Sequence, residues 1–470
     1  MRRLGAGAAA VALTGLIVAC ALVAPAAQTR EPTPTPAWHL PDRTPFSPVR
    51  PTLTPVGTPG AEMQPWPSPP STSTFATGVP IPPPVEPLPF PPDSLNIVLL
   101  GSDRRTSASF RTDTILLVSV QPSAGGVAIV SIPRDLYVYL PGLGMQRINT
   151  AVLYGDELKY PGGGTGLLRD TLLFNLGIPV QRFARVEMGG FVALVNALGG
   201  VDVPVACDYT DWQLKDPDLK PGNAANWGLH TVSTGIVHMD GDEALWYARS
   251  RARSSDFDRA RRQQEVLRAL HQQALRLDLL IRIPEAYQEL LGWVATDLTL
   301  EDALSLAPLA ARLHAVDIRS RFIGRDQVEE IRLPTSGAAV LLPRPAAIRQ
   351  LLEDAFRFEV PDARQPEAAS VLLVNASGSE DWAGLATQRL AYFGFHVLDG
   401  GEAPERPDTL ILDHGPADPG QASHLLLALG LLPERLQLEP DPKAVVPLEV
   451  LLGADYHPCF DPTRHQPSAN

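Results

Sequence analysis

Asn96-Ile97-Val98-Leu99-Leu100, Thr114-Ile115-Leu116-Leu117-Val118-Ser119-Val120 and Val127-Ala128-Ile129-Val130-Ser131-Ile132 are three β-rich runs in close succession, and their order decides the fold. Gln121-Pro122-Ser123-Ala124-Gly125-Gly126 makes a tight turn between the second and third, and residues 101–113 loop between the first and second. If the first strand runs up, the second returns and the third runs up again. The end of the first, the start of the second and the end of the third then share one edge of a sheet. Asp103, Arg104, Arg105, Arg111, Asp113, Arg134 and Asp135 all fall at that edge. Two of these three carboxylates among several guanidiniums would suit a hard divalent cation and its phosphate ligands, because Mg²⁺ takes one or two carboxylates plus substrate oxygens. Arginine presents a fixed fork of donors to phosphate.

A second basic concentration lies downstream, in Arg249, Arg251 and Arg253 and then Arg259, Arg261 and Arg262. Asp240 starts a short helix, with Glu243 three residues on as a capping box. The next helix carries Arg259, Arg262 and Gln263 at i, i+3 and i+4, a spacing that predicts one shared face, beside an apolar stripe of Val266, Leu267, Leu270 and Ala274. The plain alternative is a solvated helix face laced with Arg–Asp pairs.

Gly101-Ser102-Asp103, Arg111-Thr112-Asp113-Thr114, Ser131-Ile132-Pro133-Arg134-Asp135, the run Asp240 to Arg251 and the run Asp256 to Gln264 resemble, in order, the signature blocks of the LytR-CpsA-Psr family. The resemblance covers residues 94–360. It implies an α/β catalytic domain, a mixed β-sheet flanked by helices, in a signal-anchored enzyme that faces outward. Such enzymes transfer an anionic glycopolymer, a teichoic acid or capsule for example, from a polyprenyl-pyrophosphate carrier to peptidoglycan through a phosphodiester bond. Carried onto this chain, it implies that Asp103 and Asp113 hold Mg²⁺ against the pyrophosphate, Mn²⁺ being equally acceptable to oxygen ligands. Arg134, Arg249, Arg251 and Arg111 are then the catalytic arginines, and Arg105, Arg259, Arg262 and Gln263 complete the substrate site. Asp135 is expected to orient Arg134 or to cap a turn. The isoprenoid implies a deep apolar pocket, with Phe174-Asn175-Leu176, Phe191 to Leu198 and the helix from Arg259 to Leu275 as candidate linings; each reads equally as ordinary core. Two rival functions are a polyprenyl-pyrophosphate hydrolase, with water in place of the sugar hydroxyl, and a non-catalytic module that binds lipid and wall.

Upstream, residues 4–27 carry no charge and follow Arg2 and Arg3. As a helix they would span about 36 Å, enough for a bilayer, and the positive flank places Met1 inside and the remainder outside the cell membrane. An uncleaved single-pass anchor over residues 1–29 fits best, since apolar residues continue past Cys20. A signal peptide cut near Ala24-Pro25-Ala26 and a lipoprotein at Cys20 are the alternatives. Residues 30–93 read as a disordered linker: 21 of the chain's 48 prolines lie between Glu31 and Asp93, which favours extended polyproline II over a packed core. Lys+Arg 39 against Asp+Glu 52 gives a net charge of -13 over 470 residues, which argues against a nucleic-acid partner. Cys20, Cys207 and Cys459 cannot build a disulfide framework; Cys207 and Cys459 either pair in an oxidising exterior or stay as two thiols.

Several signals carry no chemistry. Gly162-Gly163-Gly164-Thr165-Gly166 lacks the lysine of a phosphate loop and reads as a turn. No Gly-x-Ser-x-Gly elbow and no zinc-protease histidine spacing occur. Residues 208–238 read as a loop of no recognisable function. From 368 to 456 a second, small α/β unit is expected, with strands near 371–374, 395–398, 409–412 and 450–453 and helices near 384–394 and 420–430. This unit resembles the C-terminal domain that accompanies the family. Asn375 and Ser377 are expected to hold a turn by side-chain hydrogen bonds, and residues 457–470 to form a flexible tail.

Overall fold

The structure, a computed structural model, describes residues 79–106, 109–216, 219–220, 222–276, 287–288, 290–310, 313, 317–334, 336–358, 370–415 and 419–459, with the backbone alone given at 103–106 and 109–111. The expected anchor, residues 30–78 of the linker and the join at 359–369 lie outside the described residues. Among the described residues no helix is long and apolar enough to cross a membrane.

β1 (Leu95–Thr106), β2 (Ser109–Gln121) and β3 (Gly126–Ser131) form the antiparallel meander that the sequence predicts. β1 and β2 stay paired as far as Thr106 and Ser109, within the stretch where a loop is expected. β4 (Tyr137–Leu140) and β5 (Gly144–Arg147) make a small hairpin, followed by α1 (Ala151–Glu157) and α2 (Gly163–Leu176). The glycine-rich stretch belongs to this helix pair: a Cβ on Gly164 would stand 2.2 Å from the Val152 carbonyl oxygen, and Asp156 Oδ1 accepts from the Gly164 N–H at 2.7 Å. Close approach of the two helices accounts for Gly164. β6 (Arg182–Glu187) joins the sheet parallel to β1, then come α3 (Met188–Ala197) and β7 (Val201–Val205).

Residues 208–238 are not a loop. They form the hairpin of β8 (Tyr209–Leu214) and β9 (Trp227–Val232), then β10 (Gly235–Met239) paired with β7. The inward-facing polar Asp211, 1% exposed, breaks the apolar alternation that would have announced a strand. α4 (Gly241–Arg249) is capped by Asp240, whose Oδ1 accepts from the Glu243 N–H at 2.9 Å. α5 (Asp256–Arg276) starts at the Ser255–Asp258 cap, in which the Ser255 hydroxyl accepts from the Asp258 N–H at 3.1 Å and donates to its carboxylate at 2.6 Å. β11 (Val294–Thr296), α6 (Leu300–Ala310), β12 (Ile318–Phe322), the hairpin of β13 (Val328–Arg332) and β14 (Ala339–Pro343), and α7 (Pro345–Phe356) complete the domain. The sheet has the order β11-β6-β1-β2-β3-β12 and is mixed.

Strand alternation sorts the two cores. Ile97, Leu99, Leu116 and Val118 face α3 to α6, while Val98, Leu100, Ile115 and Leu117 face α1, α2 and α7. Helices on both faces make a three-layer α/β domain.

The end of the proline-rich segment is docked rather than free. Val85 and Leu88 donate backbone hydrogen bonds to Phe174 and Gly177 at 2.8 Å each, and Leu88 is buried. Apolar residues between the prolines, Val79, Ile81, Leu88 and Phe90, give this part a surface to bury. The C-terminal unit comprises β15 (Ser370–Asn375), α8 (Glu380–Tyr392), β16 (His396–Glu402), β17 (Leu410–Asp413), α9 (Pro419–Leu429), β18 (Leu436–Leu438) and β19 (Leu448–Leu452), in sheet order β16-β15-β19-β17-β18. Asn375 Oδ1 accepts from the Ser377 hydroxyl at 2.6 Å and its amide donates to the Ser379 carbonyl at 2.9 Å, as the turn reading requires. Cys207 and Cys459 are joined in a disulfide across 252 residues of chain. The bridge fixes the start of the expected tail, where the His457 carbonyl also accepts from Arg389 at 3.1 Å.

Candidate active site

A β-bulge builds the rim of the site. Gly101 pairs with Thr114 but Ser102 pairs with Thr112, so Asp113 is the extra residue. Before the bulge, Leu116 and Thr114 face the α3–α6 side; beyond it, Thr112 points the opposite way and donates to the Asn149 carbonyl at 3.2 Å. The result is that Asp113 and Thr114 open onto the same space, although neighbours on a regular strand would oppose each other.

That space is a cavity of about 480 Å³ between the sheet and helices α3, α4 and α5. Its body is apolar: Leu99, Leu116, Val186, Phe191, Leu194 and Leu270 are among the lining residues. Its rim is polar, with Asp113, Arg134, Arg249, Arg251, Arg259 and Gln263. Of the expected linings, the Phe191 end of α3 and the apolar stripe of α5 are in place. Phe174-Asn175-Leu176 are not: Phe174 packs on Tyr139, ring centroids 4.7 Å apart, and Leu176 belongs to the opposite core.

Arg134 is the hub of the rim. Its Nη1 donates to Asp113 Oδ1 at 2.5 Å, and its buried Nε lies 3.4 Å from both Asp135 and Asp256 without a hydrogen-bond acceptor. Burial works against its charge, but the Asp113 hydrogen bond and the three carboxylates outweigh that and hold the guanidinium above its ordinary pKa. Asp135 also reaches Arg147 Nε at 3.3 Å, so it braces Arg134 from behind. Asp256, in the first turn of α5, receives Arg251 at 3.5 Å and Arg259 at 3.4 Å as well. This carboxylate was legible only as an Asp three residues before Arg259, a spacing that fits a surface pair equally well. Arg259 also donates to the Asp113 carbonyl at 3.3 Å; burial holds it below its ordinary pKa. Gln263 donates to the Thr114 hydroxyl at 2.8 Å.

Arg262 corrects the shared-face expectation. At about 100° per residue, Arg262 and Gln263 stand a quarter-turn apart, and only Arg259 and Gln263 reach the cavity. Arg262 is fully buried, with its guanidinium 3.8 Å from the Tyr209 ring centroid. It donates to the carbonyls of Tyr247 and Ser250, the latter at 2.6 Å, and to the Ser254 hydroxyl at 3.0 Å. Asp211 accepts from the Ala252 N–H at 2.9 Å on the other side of the same loop. Arg262 and Asp211 therefore shape the segment that carries Arg249 and Arg251 without reaching a substrate. The side chains of Asp103, Arg105 and Arg111 lie outside the described residues; their backbone places Asp103 opposite Arg111 in the hairpin just beyond the bulge.

Among the described residues no group of three or more His, Cys, Asp or Glu is gathered for a metal. One or two carboxylates plus substrate oxygens suffice for Mg²⁺, so Asp113 at a rim of phosphate-type donors fits a cation that arrives with its phosphate ligands.

Residues 88–340 match the model of the LytR_cpsA_psr family. The chain belongs to that family. Over 216 residues it is 32% identical to the polyisoprenyl-teichoic acid–peptidoglycan teichoic acid transferase TagU of Oceanobacillus iheyensis, which covers 46% of this chain and 62% of that protein. It is 32% identical over 230 residues to the transferase of the same description, TagT, of Bacillus subtilis, covering 48% of this chain and 66% of that one. Regulatory protein MsrR of Staphylococcus aureus is 28% identical over 266 residues, 55% of this chain and 75% of MsrR. Among solved structures, B. subtilis TagV superposes with a TM-score of 0.44 at 24% identity, over 57% of this chain and 98% of TagV. The family match ends before β15, so the C-terminal unit of this LytR-CpsA-Psr protein lies beyond it.

Proposed function

We propose that the protein is a phosphotransferase that moves a glycopolymer from a polyprenyl-pyrophosphate carrier to peptidoglycan. The observation that carries the reading is a single cavity with an apolar body and an arginine rim, the two-part shape of an isoprenoid pyrophosphate. The transferase relatives named above support the same chemistry. In this reading the isoprenoid lies along Leu99, Leu116, Phe191 and Leu270, and the pyrophosphate meets Arg134, Arg249, Arg251 and Arg259. A sugar hydroxyl of the wall attacks the phosphorus that bears the glycan. The new oxygen–phosphorus bond forms as the bridging P–O bond breaks, polyprenyl phosphate leaves, and the hydroxyl proton passes to solvent or to the departing phosphate. The guanidiniums stabilise charge on the phosphoryl oxygens as it builds. Mg²⁺, or Mn²⁺, held by Asp113 with Asp103, would neutralise part of that charge. Residues 1–29 would anchor the chain as a single-pass membrane protein with the catalytic domain outside.

The test follows transfer of a labelled glycan from a synthetic polyprenyl-pyrophosphate donor to wall oligosaccharide, with and without Mg²⁺. Product that needs both acceptor and metal, and is lost in Arg134→Ala, is the expected result. Release of glycan at the same rate without acceptor would make the protein a hydrolase. Lipid binding with no turnover would leave a binding module.

A further inference from the structure

The face of α5 turned away from the cavity packs on β12 and α8, and two adjoining hollows of about 40 and 110 Å³ lie there. Arg268 and Gln388 line both. The smaller also meets Arg261, Arg389 and Glu265; the larger meets His271. Charge is out of balance at this seam. Glu265 is the one carboxylate among the lining residues and is taken by Arg261, with Tyr247 donating to its other oxygen at 2.8 Å. Arg389 spends its guanidinium on the carbonyls of Ala428, at 2.6 Å, and His457. Arg268 reaches the Ser320 hydroxyl, but its Nε is buried without an acceptor, and no carboxylate of the described residues pairs with it. Arg321, 8% exposed, adds a second guanidinium close by: its Nη1 donates to the Ser320 carbonyl at 2.9 Å. His271 is 7% exposed, and its Nε2 also has no partner.

Burying Arg268 beside Arg321 is costly when the nearest carboxylate, Glu265, is already bonded to Arg261 and Tyr247. Water relieves it only in part, because a water offers hydrogen bonds without net charge. A hollow of 110 Å³ is far above the 10–15 Å³ or so that one water requires. We infer that this seam binds a small tetrahedral oxyanion of the phosphate or sulfate class, held by Arg268 with Gln388 and His271, between the catalytic domain and the C-terminal unit. Arginine's fork favours an oxyanion over chloride. The hollow lies against α8, and its few donors suit the free ion, which is the ligand inferred; a phosphate ester is the alternative that the test separates. The site is separate from the cavity: Val266, Leu267 and Leu270 of α5 face the cavity, whereas Arg268 and His271 face the seam. It does not depend on the transferase reading.

Thermal unfolding of the full chain in detergent, at constant ionic strength set with sodium chloride, tests this with inorganic phosphate as the probe and glycerol 3-phosphate as the ester arm. The expected result is a saturable rise in Tm of a few degrees with inorganic phosphate alone. The rise persists in Arg134→Ala/Arg251→Ala, which weakens competing anion binding at the cavity rim, and disappears in Arg268→Gln. If Arg268→Gln does not fold, Gln388→Leu on the α8 side takes its place, and at least a fivefold weaker response is expected. No rise in the wild type, a rise with the ester alone, or a rise lost in the rim variant but kept in Arg268→Gln or Gln388→Leu would overturn the inference.

Discussion

The two sides of α5 carry the same residue types to opposite ends. Toward the cavity, Arg259 and Gln263 join Arg134 and Arg251 around carboxylates that stay partly open, and the apolar residues behind them line empty space. Away from it, Arg262 is sealed among carbonyls, hydroxyls and rings, and Arg261 is paired with Glu265. An arginine at the rim keeps its donors available to a ligand at the cost of a loosely determined position. Arg262, on the packed side, spends its donors on backbone and fixes a loop.

That contrast is broken most sharply by exchanging the roles of Arg134 and Arg262. Arg134→Ala is expected to lower transfer on the order of 10²- to 10³-fold, while denaturant midpoints move little. Arg262→Ala strands the Tyr247 and Ser250 carbonyls and leaves a cavity, so it is expected to cost about 3 kcal/mol of stability. Kinetics and urea unfolding on both variants check the pair; an Arg262→Ala protein of wild-type stability would remove the distinction.

Only part of this arrangement is legible in the amino-acid sequence. Strand alternation and turn residues suffice for the β1–β3 meander and for placing Asp113 and Arg134 at one edge of it, because both depend on local chemistry. The bulge at Asp113 was not foreseeable, since it depends on pairing with Gly101 and Ser102 rather than on residue type. Arg262 shows the same limit: helix spacing gives neighbourhood on a face, but a quarter-turn decides whether a side chain meets open space or Tyr209. The β8–β9 hairpin was hidden by Asp211, whose inward position makes sense only once the Ala252 N–H is beside it. In the C-terminal unit the strand and helix periods were clean, and the elements fall where expected, β18 excepted, a strand of only Leu436–Leu438.

On the packed side, the Cys207–Cys459 bridge is expected to contribute about 4 kcal/mol, because it closes a very long loop. Replacing both cysteines by Ala should lower the unfolding midpoint accordingly, with transfer per folded molecule unchanged. A fall in transfer at constant folded fraction would mean that the C-terminal unit acts on the cavity through α5.

A pH dependence sharpens the contrast further. Burial depresses the pKa of His271 to about 4, from an ordinary 6.5. Between those values the unfolded chain takes a proton that the folded chain refuses, so stability falls as pH drops through that window, by up to about 3 kcal/mol. Above pH 6.5 and below 4 this contribution is flat. Urea unfolding of wild type and His271→Gln in phosphate-free buffer at pH 7, 5.5 and 4.5 reads it directly; the variant should lose that slope, and identical slopes would show that His271 is solvated.

In the proposed function the cavity beside α5 receives the isoprenoid and its rim the pyrophosphate. Equilibrium binding of a fluorescent polyprenyl pyrophosphate to the full chain and to Leu270→Trp, which fills the cavity body without touching the rim, tests it most directly. The account predicts at least tenfold weaker binding by the variant, at an unfolding midpoint close to that of the wild type. Equal affinity would contradict it and place the lipid elsewhere.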